Sequence, residues 1–97
     1  MQLVLHPKVY SDIDKIMAHY ERVAGSELAD EFYEELRAFM VKAAGEPESY
    51  SLRIRDIRRV NLQKFPYNFL FRIVGDDIRI LVVRHHRRRP NFGTRRR

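Results

Sequence analysis

Arg72, Arg79 and His85 are the side-chain types that phosphate chemistry uses. A guanidinium group presents a planar fork to phosphate or carboxylate oxygens. A histidine beside it can give or take a proton near neutral pH. The stretch that carries these residues also relates them. Tyr67 to Val74 and Asp77 to His85 read as strands, and Gly75-Asp76 between them is a two-residue hairpin signal. A tight turn there sets Val74 opposite Asp77 and, by counting, Arg72 opposite Arg79. Like charges facing across a strand pair repel. Either a bound anion relieves them or both groups splay into water at small cost. The same count places His85 on their face with Asn68, Leu70, Leu81 and Val83. The other face carries Tyr67, Phe69, Phe71, Ile73, Ile78, Ile80, Val82 and Arg84 and is the expected core. On this reading Arg72, Arg79 and His85 are the candidate catalytic residues for phosphodiester chemistry. His86 is expected to point to the core side or the strand end.

The densest charge is Arg84 with Arg87-Arg88-Arg89, closed by Pro90. It is either a solvated tail or a segment that docks on phosphate or on a protein. Arg55, Arg58 and Arg59 would extend that surface. The net charge of +6 hides a split. Residues 1–50 carry net −5 and residues 51–97 net +11, and thirteen of the fourteen basic residues in the second half are arginine. An anionic partner is the expectation. No glycine-rich phosphate loop and no Ser-His-Asp set stand out, and His6 and His19 lie at no recognised metal spacing. With no cysteine, a disulfide scaffold and a Cys-based zinc site are excluded. No metal and no cofactor are expected.

The elements that must hold these residues follow from periodicity. Residues 2–5 read as a short first strand, ended by His6-Pro7. Val9, Ile13, Ile16, Met17, Tyr20 and Val23 follow helical spacing, with Pro7 suited to the first turn and Gly25 to the end. Ser26 is expected to cap a second helix whose apolar face is Leu28, Phe32, Leu36, Phe39 and Ala43, stopped by Gly45 and Pro47. Tyr33, Phe39 and Met40 widen that face, either as core or as a groove for a partner helix. Residues 46–56 read as a loop, and Arg58 to Lys64 as a strand with Val60 and Leu62 inward. The order is β-α-α-β-β-β, an α+β fold of two layers with a helical hairpin on a mainly antiparallel sheet. At 97 residues one domain is expected over 1–97: strand and helical hairpin in 1–45, a three-strand meander in 57–86, and a basic tail in 87–97 with Arg95-Arg96-Arg97 mobile. The apolar runs are too short to span a bilayer, and the start lacks signal-peptide character, so no membrane partner and a cytoplasmic location are expected.

Ile57-Arg58-Arg59-Val60-Asn61-Leu62, Lys64-Phe65-Pro66-Tyr67, Phe71-Arg72-Ile73 and Val83-Arg84-His85-His86-Arg87-Arg88-Arg89-Pro90-Asn91-Phe92 together resemble the RelE/ParE superfamily of bacterial toxins. The resemblance covers nearly the whole chain and implies a toxin of a type II toxin–antitoxin pair, held inactive by a cognate antitoxin. For the antitoxin contact it suggests Tyr33, Phe39 and Met40, and for the target Arg58, Arg59, Arg84, Arg87 and Arg88. ParE-like members inhibit DNA gyrase, whereas RelE-like members cut mRNA on the ribosome. Several ribonuclease members carry an arginine near the start of the third strand. Phe65-Pro66-Tyr67 stands there in this chain, which looks more like the ParE branch. Gyrase inhibition is the first expectation, a ribosome-dependent endoribonuclease built on Arg72, Arg79 and His85 the second, and a non-toxic nucleic-acid-binding module the third. A single-strand platform would need exposed aromatics on the open sheet face, and none is expected there.

Overall fold

A computed structural model describes residues 2–97. Strand β1 (Gln2–Leu5) leads into helix α1 (Pro7–Ala24), whose start is held by the His6 side chain accepting a hydrogen bond from the Lys8 amide at 3.1 Å, with Pro7 pre-set in the first turn. Gly25 alone joins α1 to helix α2 (Ser26–Gly45), and its φ of 94° is a conformation that other residues rarely take. Ser26 is therefore the first residue of α2 and not its cap, because the reversal is completed in one residue. A single 3-10 turn (Pro47–Ser49) follows. Val9, Ile13 and Ile16 of α1 and Ala29, Phe32, Leu36, Met40 and Ala43 of α2 are buried, whereas Val23, at the far end of its stripe, is 61% exposed.

Four more strands complete the sheet: β2 (Leu52–Ile54), β3 (Ile57–Asn61), β4 (Tyr67–Val74) and β5 (Asp77–His85). The order is β1-β5-β4-β3-β2, with β1 parallel to β5 and the other pairs antiparallel. The expected loop 46–56 thus contains an edge strand, three residues long and exposed throughout. The expected strand from Arg58 to Lys64 runs instead from Ile57 to Asn61.

The β4–β5 hairpin turns at Gly75-Asp76, and Arg72 does face Arg79. The register then shifts: Phe71 pairs with Ile80 but Leu70 with Val82, so Leu81 is the extra residue of a β-bulge. A one-residue offset inverts every side chain beyond it. Val83 and His85 therefore turn to the helix side, with Tyr67, Phe69, Phe71, Ile78 and Ile80, and Val82 and Arg84 turn away from it. The main core lies between this face and the two helices. The second face is covered rather than open. Residues 86–95 fold back across it in successive turns, and Phe92 packs on a second cluster of Ile57, Leu70, Leu81 and Val82. Gly93 makes this approach possible: its φ is 81°, and a Cβ there would lie 2.6 Å from Val82.

Candidate functional site

The arginines and histidines converge where β5 ends. Strand β1 pairs with β5 only as far as Ile80, whose carbonyl accepts the His6 amide at 2.8 Å. Past that point the β5 backbone would be an open edge. Asp12 of α1 accepts the Val83 amide at 3.1 Å, and Arg96 donates to the Leu81 carbonyl at 3.1 Å. The two side chains pair with each other at 2.6 Å, both largely shielded from solvent. The expectation of a mobile Arg95-Arg96-Arg97 does not hold for Arg96, because the ion pair and the bulged edge give it partners.

Arg84 anchors the tail from the inside. It is 7% exposed. Its Nε donates to the Asn68 side chain at 3.1 Å, and one terminal nitrogen reaches the carbonyls of Arg89, Pro90 and Phe92 at 3.2, 2.9 and 2.9 Å. Burial, and then the charge of Arg59, pulls its pKa below the usual guanidinium value. A buried charge needs such a full set of acceptors. Arg84 is thus a structural hub and not a surface for a target, contrary to the sequence expectation. His86 bonds through Nδ1 to Asn68 at 3.2 Å, on the tail side and not the core side.

A cleft of about 290 Å³ opens between α1 and the tail, lined by Asp12, Lys15, His19, Tyr67, His85 and Arg88 among others. The His85 ring meets that of Tyr67 edge-on at 5.1 Å, and its Nδ1 accepts the Arg87 amide at 3.0 Å. Burial, followed by the charges of Arg87, His86 and Arg88, lowers its pKa from the ordinary histidine value. The Arg88 guanidinium stacks over Phe92 at 4.6 Å, while Arg87 projects into solvent.

The trio Arg72, Arg79 and His85 is not assembled. Arg72 and Arg79 lie near the hairpin turn on the tail-covered face, and the Leu81 bulge carries His85 to the other face. Arg72 is paired with Asp56 at 2.7 Å. Its hydrogen bond is the first cause of the lowered Asp56 pKa. Arg58 and Arg59 split likewise. Arg58 sits on the helix side and donates to the Tyr50 carbonyl, and Arg59 sits beside Leu70 and Arg84. Among the nominated helical residues Met40 is core at 4% exposed, Phe39 is partly buried against the core, and Tyr33 is 41% exposed. Tyr33 and Met40 do share a shallow apolar groove with Leu3, Leu5, Ile13 and Leu36, about 40 Å³ in volume. The roles of Asp12, Asn68, Phe92 and Arg96 in holding the tail are not read from the sequence. Asn-Phe-Gly-Thr at 91–94 was the available signal, an aromatic followed by glycine in an otherwise charged run.

The family model described as the ParE toxin of type II toxin–antitoxin system, parDE, matches residues 3–90. Among solved structures, a chain of the chromosomal ParDE system from P. aeruginosa is 25% identical, with 88% of this chain and 95% of that one covered and a TM-score of 0.74. The isolated E. coli RelE toxin is 15% identical over 96% of this chain and 92% of that one, at a TM-score of 0.57. A chain of the intact E. coli RelBE toxin–antitoxin complex is 16% identical over 90% and 98%, at 0.58. The last two likenesses speak to the fold alone. No curated protein sequence matches the chain.

Proposed function

We propose that this chain, which belongs to the ParE toxin family of type II toxin–antitoxin systems, stops growth by inhibiting DNA gyrase through its basic tail and is neutralised by a cognate antitoxin. Membership in that family supports the reading, together with one observation: Arg72 and Arg79 are separated from His85 by the sheet. A ribonuclease needs cation and proton donor on the same scissile phosphate. Arg87 and Arg88 are the exposed arginines offered to the target, on a tail held rigid by Arg84, Phe92 and Arg96. The antitoxin is assigned the groove at Tyr33, with Phe39 on its flank. No helix among the described residues is long and apolar enough to cross a membrane, and the proposed targets lie in the cytoplasm.

A second reading rests on the cleft. His85 stands there with Lys15, His19 and Arg88, which is an arrangement that could bind and cleave RNA on the ribosome. Two variants separate the readings. Under gyrase inhibition, Arg87→Ala with Arg88→Ala abolishes growth arrest and the loss of supercoiling by purified gyrase, and His85→Gln weakens both only modestly. Under RNA cleavage, His85→Gln lowers the cleavage rate about 100- to 10,000-fold. A folded but harmless His85→Gln protein, with the parent cutting mRNA on purified ribosomes, would overturn the gyrase reading.

A further inference from the structure

We infer that the hairpin end of the tail-covered sheet face holds a site for a compact ligand bearing adjacent phosphate groups. A cleft of about 310 Å³ there is lined by Arg55, Arg72, Thr94, Arg95, Arg96 and Arg97. Arg79 lies directly across from Arg72 and donates to the Arg97 carbonyl at 2.7 Å. Two side-chain carboxylates answer these six guanidinium groups: Asp56 pairs with Arg72, and Asp12 with Arg96, while Arg79 bonds the main-chain oxygen of Arg97. Arg55 makes one hydrogen bond, to the Thr94 carbonyl at 3.0 Å. The side chains of Arg95 and Arg97 make none among the described residues.

Each guanidinium carries five donors in a fixed fork, so most donors around this cleft have no protein acceptor. Like charge gathered this way is relieved by water, to which Arg55, Arg95 and Arg97 are exposed, or more strongly by an anion that bridges several forks at once. The arginines arrive from three separate segments: the β2–β3 turn, the β4–β5 hairpin and the tail. They converge on one concavity rather than forming a stripe, which suits a compact anion better than an extended strand. The lining offers no aromatic or apolar side chain, so recognition rests on charge-assisted hydrogen bonds to the phosphate end of a ligand. Arg55 adopts a φ of 50°, unusual for a residue with a side chain, and its bond to Thr94 holds it over the cleft. Arg96 also lines the cleft that holds His85 and Arg88, but Arg55, Arg72, Arg95 and Arg97 line only this one, and the site does not depend on the gyrase reading.

Calorimetric titration of the full chain with sodium tripolyphosphate at constant ionic strength tests this. Saturable binding of one anion per chain is expected. Arg95→Gln with Arg97→Gln should weaken it about tenfold or more, as the loss of charge-assisted hydrogen bonds does. Arg55→Gln, from a different segment, should weaken it in the same way. Arg22→Gln with Arg89→Gln removes the same charge elsewhere and should leave the affinity unchanged. Equal weakening by that control pair, or equally tight binding of sulfate, would reduce the effect to general attraction by net charge and overturn the site. Tighter binding of a single-stranded oligonucleotide through the same arginines would overturn the compact ligand.

Discussion

Gly93→Ala isolates the close approach of the tail to the sheet when it is compared with Gly75→Ala. Both glycines have positive φ, 81° and 60°. In either variant the alanine bears a left-handed backbone cost of roughly 1–2 kcal/mol. At Gly75 the new methyl meets nothing within 4 Å, and the backbone cost is all there is. At Gly93 it would sit 2.6 Å from the Cβ and one γ-carbon of Val82, both close to the backbone and unable to swing aside. Overpacking of that kind adds about 1–3 kcal/mol. The alternative is for the tail to lift, which exposes Phe92 and strips Arg84 of its carbonyl acceptors. Gly93→Ala should therefore cost about 2–5 kcal/mol in total, from a stability of roughly 5–15 kcal/mol. Urea melts of both variants measure this, and in thermal melts each kcal/mol moves the midpoint by about 4–8 °C for a domain of this size. If the two glycine variants melt together, the tail is not packed on Val82, and the account of the second sheet face is wrong.

Phe71, fully buried in the main core, should cost about 3–5 kcal/mol on truncation to alanine, and an unchanged melt would remove it from that core. Asp12→Ala leaves the Val83 amide without its acceptor and Arg96 with the Leu81 carbonyl alone. Urea melts should show a loss of about 1–3 kcal/mol, with Asp12→Asn recovering part of it by keeping an oxygen for Val83. His85 and His6 both have pKa values lowered chiefly by burial, with neighbouring cations adding to it, although Asp12 opposes the shift at His6. The folded state then binds fewer protons than the unfolded state between those lowered values and about 6.5. Stability should fall as pH drops below about 6.5, and His85→Gln should flatten the melting temperature across that window. A slope unaltered by this substitution would place the titrating group elsewhere.

Strong patterns made much of this fold readable. The hairpin bounds at Tyr67–Val74 and Asp77–His85, the Gly75-Asp76 turn and the facing of Arg72 and Arg79 all follow from a glycine signal between two alternating runs. The bulge at Leu81 left no trace, because Ile80-Leu81-Val82-Val83 is apolar at every position and reads the same in either register. That single residue exchanges the faces of His85 and Arg84, so that Arg84 is buried under the tail and not among the helices. Strand β2 was invisible for a different reason: three exposed residues carry no alternation against a buried surface. The tail was misjudged because its arginines outweigh Phe92 and Gly93 in composition, although those two residues do the docking. Leu70, Leu81 and Val83, which the unbulged register sets on the second face, were a further indication that something had to cover it.

The parallel pairing of β1 with β5 sets the order in which this chain can acquire its structure. Gln2 to Leu5 must wait for Asp77 to Ile80, and Asp12 for Arg96. Closing loops of that length is entropically costly before any contact is gained, and such topologies fold slowly. The helical hairpin and the β4–β5 hairpin can form from local contacts, but the first strand has no place in the sheet until β5 has been synthesised. Translation, at about 5–20 residues per second, leaves an interval in which the helices exist without the sheet edge that completes their groove. During that interval the growing chain has neither its docked tail nor its finished sheet edge.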